Sequence, residues 1–175
     1  TPNLRRLILN DNEITFLGEA AFQLLKLLES IAINSNKLKH IHPLAFYGLL
    51  YLRELDVANN QLTSFEVNLG SSIRFYRLGL NHNNLTYISV PIFENVQGTL
   101  SVLYLESNPL QCSCIDELDF WASKYNIQLF FMCVNRDFYC TIPLSNKRNC
   151  AKRPRNEFNV TIFDMFKSDC LRLDN

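Results

Sequence analysis

No stretch of eighteen apolar residues occurs in this sequence, so no part of it reads as a helix long enough to cross a bilayer. An excess of charge is lacking too: 17 Lys and Arg stand against 17 Asp and Glu. A chain with no overall field has no general attraction for nucleic acid or anionic membrane, and neither is an expected default partner. Glycines number five and form no phosphate-cradling loop. The opening TPNLRRL lacks the apolar core of a signal peptide, so a mature chain or a piece of something longer is expected. His40, His42 and His82 lie at turns and flanks with no matched nucleophile, so neither catalysis nor a cofactor is expected. His40 and His42 straddle Ile41, whose side chain should point inward, which leaves both histidines toward solvent. The first 111 residues also lack cysteine.

What is present is a chain of 175 residues, 47% of them apolar, which is enough to bury a real core. Its six cysteines all fall between Cys112 and Cys170. An even number confined to one segment points to disulfides and an oxidising compartment. The sequons at Asn84 and Asn159 point the same way as candidate glycosylation sites. Cys112 and Cys114 form one close pair that thiolate metal binding would also use, but zinc ribbons and fingers usually bring two.

Self-alignment at a period near 24 residues gives five copies of one unit, LxxLxLxxNxL. They begin at Leu4, Leu28, Leu52, Phe75 and Leu100, and their asparagines, Asn12, Asn36, Asn60, Asn83 and Asn108, are spaced 24, 24, 23 and 25 apart. The first part of each unit alternates apolar and other residues, the period of a strand with one buried face. A turn follows, and it leaves backbone donors and acceptors inside the stack. An asparagine amide offers both complementary groups, so all five asparagines are expected to be buried. Phe22, Phe46 and Phe93 form a second column ten residues beyond their asparagines, and the third unit breaks it with Leu69-Gly70.

These residues resemble the extracellular leucine-rich repeat family over Leu4 to about Leu110. The resemblance implies an α/β solenoid, a right-handed superhelix with a parallel sheet on its concave side and irregular or short helical segments on its convex side. One unit cannot bury its own face, so stability is shared between neighbours. Thr1-Pro2-Asn3 looks like the tail of a preceding repeat, so the chain is expected to start mid-array.

After Asn108-Pro109 the repeat stops, and IDELDFWASKY follows Cys112-Ser113-Cys114. Ile115, Leu118, Trp121 or Ala122, and Tyr125 recur at helical spacing. Asp116, Glu117 and Asp119 are expected near the helix start, where its dipole favours negative charge. Trp121 is expected to anchor the core rather than to touch a ligand. With Cys140, Pro143 and Cys170, this segment resembles the carboxy-terminal cap of extracellular leucine-rich repeat proteins, Toll-like receptors among them. The resemblance implies pairing of Cys112 with Cys140 and of Cys114 with Cys170. Cys133 and Cys150 are extra to that framework and are most simply paired with each other, although six cysteines allow fifteen connectivities. The implied organisation is repeats over 1–107, a cap over 108–170 folding as one body with them, and 171–175 opening a following segment.

A basic run, Lys147, Arg148, Lys152, Arg153 and Arg155, contains no acidic residue. Such runs are usually solvated loops; the functional alternative is a contact for heparin-like glycan, acidic protein or headgroups. On the concave face the side chains between the inward leucines are free to vary. The alignment sets Arg6, Ser30, Glu54, Arg77 and Val102 in one column and Ile8, Ala32, Asp56, Gly79 and Tyr104 in the next. A third column holds Asn10, Asn34, Ala58, Asn81 and Glu106. Glu54, Asp56, Arg77 and Tyr104 are the candidate ligand-binding residues; the alternative is a hydrated face on which Glu54 and Arg77 form a weak ion pair. The expectation is therefore a non-catalytic recognition domain of an innate-immune receptor ectodomain, binding a protein, co-receptor or microbial ligand. The alternative is a matrix or adhesion protein whose cap and flank mediate homo- or heterodimerisation or glycosaminoglycan contact.

Overall fold

The structure, a computed structural model, describes residues 3–69, 72, 74–131 and 150–152. Six short strands form one parallel sheet in the order β1 (Arg6–Ile8), β3 (Ser30–Ala32), β5 (Glu54–Asp56), β6 (Arg77–Gly79), β7 (Val102–Tyr104) and β8 (Gln128–Phe130). Consecutive layers pair in the register the repeat alignment expects, with Leu7, Ile31, Leu55, Leu78 and Leu103 in one inward column. From Ile31 to Leu103 the residues of this column are buried. A smaller parallel pair, β2 (Phe16–Leu17) with β4 (His40–Ile41), lies beyond the asparagine turn of the first two layers. Leu17 and Ile41 face the core there, while Phe16 and His40 stack at the surface with ring centroids 5.8 Å apart.

Each turn is held by its asparagine. Asn60 donates from Nδ2 to the carbonyls of Ile33, Val57 and Ala58 at 3.0, 3.1 and 3.0 Å. Its Oδ1 accepts the N–H of Leu38, one layer earlier, at 2.9 Å. Asn36, Asn83 and Asn108 repeat the arrangement, accepting from Ile14, Leu62 and Leu85, all at 3.0 Å. These four are buried, as expected. Asn12 is not: it is exposed and keeps only bonds to the carbonyls of Leu9 and Asn10, because no described layer covers it.

The residue before every ladder asparagine takes the left-handed conformation, with φ between 52° and 57° at Asp11, Ser35, Asn59, His82 and Ser107. Such a φ costs a non-glycine residue about 1–2 kcal/mol, and the asparagine bonds offset it once per layer. On the return side, Phe22 and Phe46 stack at 5.7 Å and Phe93 is fully buried. Leu69 is buried too, so it fills the gap in the column at the third unit.

The cap's helix α1 (Cys112–Tyr125) buries Cys114, Ile115, Leu118, Trp121 and Ala122 at spacings of three and four residues. Trp121 stacks on Phe93, ring centroids 5.0 Å apart, as a core anchor should. The acidic trio is not in the first turn, since the helix begins three residues before Ile115; Asp116, Glu117 and Asp119 lie on its outer face. Asn126, left-handed at φ 55°, ends the helix and sends the chain into β8. The cap thus adds a sixth strand to the repeats' own sheet.

Candidate functional site

Strand register decides what meets on the concave face. Glu54 pairs with Arg77 in register, but the weak ion pair of the alternative reading does not form between them. Glu54 instead accepts a hydrogen bond from the hydroxyl of Tyr76, and Arg77 lies over the ring of Tyr104, 5.1 Å from its centroid. A guanidinium on an aromatic face gains a cation–π contact, whereas an exposed ion pair gains little. The other face of Tyr104 stacks on Phe130 of β8, with centroids 4.9 Å apart and planes 11° from parallel. Arg77, Tyr104 and Phe130 therefore form one stack across three strands, with both rings half-buried.

Asp56 sits two strands from Tyr104, between Ala32 and Gly79. One of its carboxylate oxygens accepts the N–H of Ala58 at 3.0 Å. A Cβ at residue 79 would come within 2.8 Å of that same oxygen, so glycine there is what lets the carboxylate lie across the next strand. The bond with Glu54 also acts on Tyr76: first that hydrogen bond, then burial and the nearby negative charge, raise its phenol above the usual value of 10.0. The four candidate residues thus occupy one continuous face, but as two settings: Asp56 over Gly79, and Arg77 on Tyr104. Tyr76 and Phe130 were not expected in it. The alternation of Ile127, Leu129 and Phe131 with Gln128 and Phe130 was the available signal for the sixth strand.

Charge is unevenly placed along this sheet. Of the five arginines among the described residues, Arg5, Arg6, Arg53 and Arg77 lie at or directly before the first residue of a strand, and Arg74 lies three residues before β6. Arg5 and Arg53 share the carboxylate of Glu29, the latter at 3.6 Å.

On the back flank, Cys114 is bonded to Cys150, their Cα atoms 4.6 Å apart. This overturns the pairings of Cys114 with Cys170 and of Cys133 with Cys150. The reason lies in how the chain returns. The sulfur of Cys150 sits 3.5 Å from the Ile88 carbonyl oxygen, and Ala151 accepts a bond from Gln111 Nε2 at 2.6 Å. Lys152 meets Glu66 at 2.6 Å. That strap delivers Cys150 beside the first turn of α1, a proximity that order along the chain does not encode. Cys112 is disulfide-bonded as well. Its expected partner Cys140 lies outside the described residues, as do Cys133 and Cys170. So do Asn159 and the basic residues Lys147, Arg148, Arg153 and Arg155, whereas Lys152 of that run is engaged by Glu66. Asn84 is half-buried, next to the ladder residue Asn83.

Repeating layers, a parallel concave sheet, an asparagine ladder and a disulfide-bonded cap define a leucine-rich repeat solenoid. A family model described as leucine rich repeat matches residues 2–62. Mouse Toll-like receptor 9 is 28% identical over 113 residues, 64% of this chain and 11% of that protein. Mouse podocan-like protein 1 is 37% identical over 81 residues, 45% of this chain and 14% of that protein. Among solved structures, a chain of a TLR13–ssRNA13 complex superposes with a TM-score of 0.54 at 37% identity, covering 60% of this chain and 16% of that one. A chain of an octameric complex of Latrophilin 3, Unc5D and FLRT2 shares the fold, with a TM-score of 0.55 at 21% identity over 79% of this chain and 51% of that one. The chain has the leucine-rich repeat fold, and over its matched residues it is similar to Toll-like receptors. It spans little more than a tenth of the curated relatives it matches.

Proposed function

We propose that this chain is a non-catalytic recognition part of an extracellular leucine-rich repeat ectodomain. In this reading the repeats over 1–107 and the cap over 108–170 act as one body that binds a protein ligand, in innate immunity, through its concave face. The observation that carries the reading is the stack of Arg77, Tyr104 and Phe130, which joins the last repeats to the cap on one ligand-accessible face. Arginine and aromatic side chains are the residues that most often anchor protein interfaces. The disulfide and the extracellular relatives support the compartment.

The RNA in the TLR13 complex raises a nucleic-acid ligand as the competing class. Base stacking needs a free aromatic face. Both faces of Tyr104 are occupied by its neighbours, which leaves Phe130 at the end of the row as the one ring of the stack on which a base could lie, and this supports a protein ligand over a nucleic acid. The likeness to podocan-like protein 1 supports a second reading, a matrix or adhesion protein acting through its flank.

The test is a binding screen of the disulfide-bonded chain against extracellular protein and microbial ligands, with each hit repeated on Asp56→Ala and Tyr104→Ala. Loss of roughly tenfold or more in affinity for both variants is expected of interface anchors. Hits that ignore both substitutions would refute the concave-face assignment.

A further inference from the structure

The return flank, where the chain comes back from the convex side to the starts of the strands, gathers features that the stack of Arg77, Tyr104 and Phe130 does not use, and Tyr76 lies where the flank meets the concave face. Five of the eight exposed large apolar residues among the described residues lie on these return segments: Leu24, Tyr47, Leu50, Tyr51 and Tyr76. Tyr47 is 65% exposed, Leu50 53% and Tyr51 50%. Arg53 follows Tyr51 by two residues, and in the next layer Arg74 precedes Tyr76 by two; the backbone N–H of Tyr76 bonds to the carbonyl of Arg53 at 2.9 Å. Two aromatic–arginine pairs are therefore stacked layer on layer along one side of the solenoid.

The charge on this flank is not balanced. Glu29 is shared by Arg5 and Arg53, and Glu54 accepts from Tyr76. Arg74 is exposed and meets no carboxylate among the described residues. Enrichment in tyrosine and arginine over lysine is what distinguishes the centres of protein interfaces from ordinary surface. Lys26, two residues after Leu24, is exposed on this flank, whereas Lys37 and Lys39 lie on the opposite side, beyond the asparagine turns.

We propose that this flank, built on Tyr47, Leu50, Tyr51, Arg53, Arg74 and Tyr76, is a docking surface for a protein partner. That partner presents spaced acidic side chains to the arginines and apolar ones to Leu50 and Tyr51. Charge complementarity selects the occupant. A second copy docked flank to flank would bring two surfaces of net positive charge together, because Glu29 is shared by Arg5 and Arg53 and Arg74 meets no carboxylate among the described residues. A continuous polyanion such as a sulfated glycan or a nucleic acid strand would run over Glu29 and Glu54, which interrupt the arginines one layer apart. A protein surface with acidic residues set among apolar ones meets neither penalty.

The test uses fluorescence anisotropy of the disulfide-bonded chain with a labelled peptide of alternating Glu and Leu. A Glu homopeptide of equal length, a heparin oligosaccharide and a single-stranded oligonucleotide are the competing probes. The alternating peptide is expected to bind tightest. Arg74→Glu and Tyr51→Ala should each weaken it by roughly tenfold, while Lys39→Glu, the same charge change off the flank, leaves it unchanged. Arg74→Gln should give an intermediate loss, and thermal melts that match the parent chain would show that the variants fold. Equal loss with Lys39→Glu would overturn the proposal. So would tighter binding of heparin or the oligonucleotide, or self-association at the same concentrations that Arg74→Glu abolishes.

Discussion

Replacing Asn60 by alanine removes one rung of the ladder at a fully enclosed layer. The Leu38 N–H, bonded to Asn60 Oδ1 at 2.9 Å in the core, is left without an acceptor. The carbonyls fare better: Ile33 is also bonded by Asn36, Val57 by Asn83, and Ala58 by the N–H of Ser35. One orphaned buried donor costs about 1–3 kcal/mol. The small cavity left by the amide adds to this, so a loss of about 2–4 kcal/mol is expected. At the exposed end of the stack, Asn12→Ala removes only bonds to Leu9 and Asn10, for about 1 kcal/mol or less. Urea unfolding of the two variants measures the difference, and hydrogen exchange locates it, with Leu38 the amide that should lose most protection. Equal costs at the two positions, or unchanged exchange at Leu38, would refute the idea that the ladder acts by satisfying the preceding layer.

Three further outcomes follow from the concave face and the cap. Gly79→Ala should cost about 1 kcal/mol in the parent and almost nothing beside Asp56→Ala, since the clash is with that carboxylate; a double-mutant cycle by urea unfolding reads the coupling. Tyr76 is protonated in the folded chain at a pH where an unfolded tyrosine has lost its proton. Its contribution to stability is thus whole below the ordinary phenol value and disappears as pH rises through the raised one. Ultraviolet titration should place it above the usual phenol value, and Glu54→Gln should bring it down. Peptide mapping without reduction should recover Cys114 joined to Cys150, and Cys114→Ala with Cys150→Ala should cost about 3–4 kcal/mol for a bridge spanning 36 residues.

The repeats were legible because their constraint is local and periodic. An inward leucine every second residue, followed by an asparagine, fixes strand, turn and register together, so Glu54, Arg77 and Val102 fall in one row as aligned. What periodicity cannot carry is the choice among partners within reach. Arg77 has Glu54 on one side and Tyr104 on the other, and side-chain packing rather than spacing sends it to the ring. The sixth strand was hidden because Gln128–Phe130 has Val134 rather than an asparagine at the ladder spacing and is placed by the end of α1. The bridge to Cys150 was hidden for a related reason: three backbone and side-chain contacts along the back of the repeats bring it there, and none leaves a mark in cysteine spacing.

The ladder has a direction. Each layer's turn is clasped by its own asparagine and again by the asparagine of the layer after it, never by the one before. A layer stripped of its predecessor therefore keeps both clasps, whereas one stripped of its successor loses a clasp on its own turn. Tension along the solenoid would meet the weaker joint at the Asn108 end. That is where the structure places Gln111, bonded at once to Thr86 and Ala151, with a covalent bridge beside it. The cap works as a ratchet pawl on the side from which the stack would otherwise unzip.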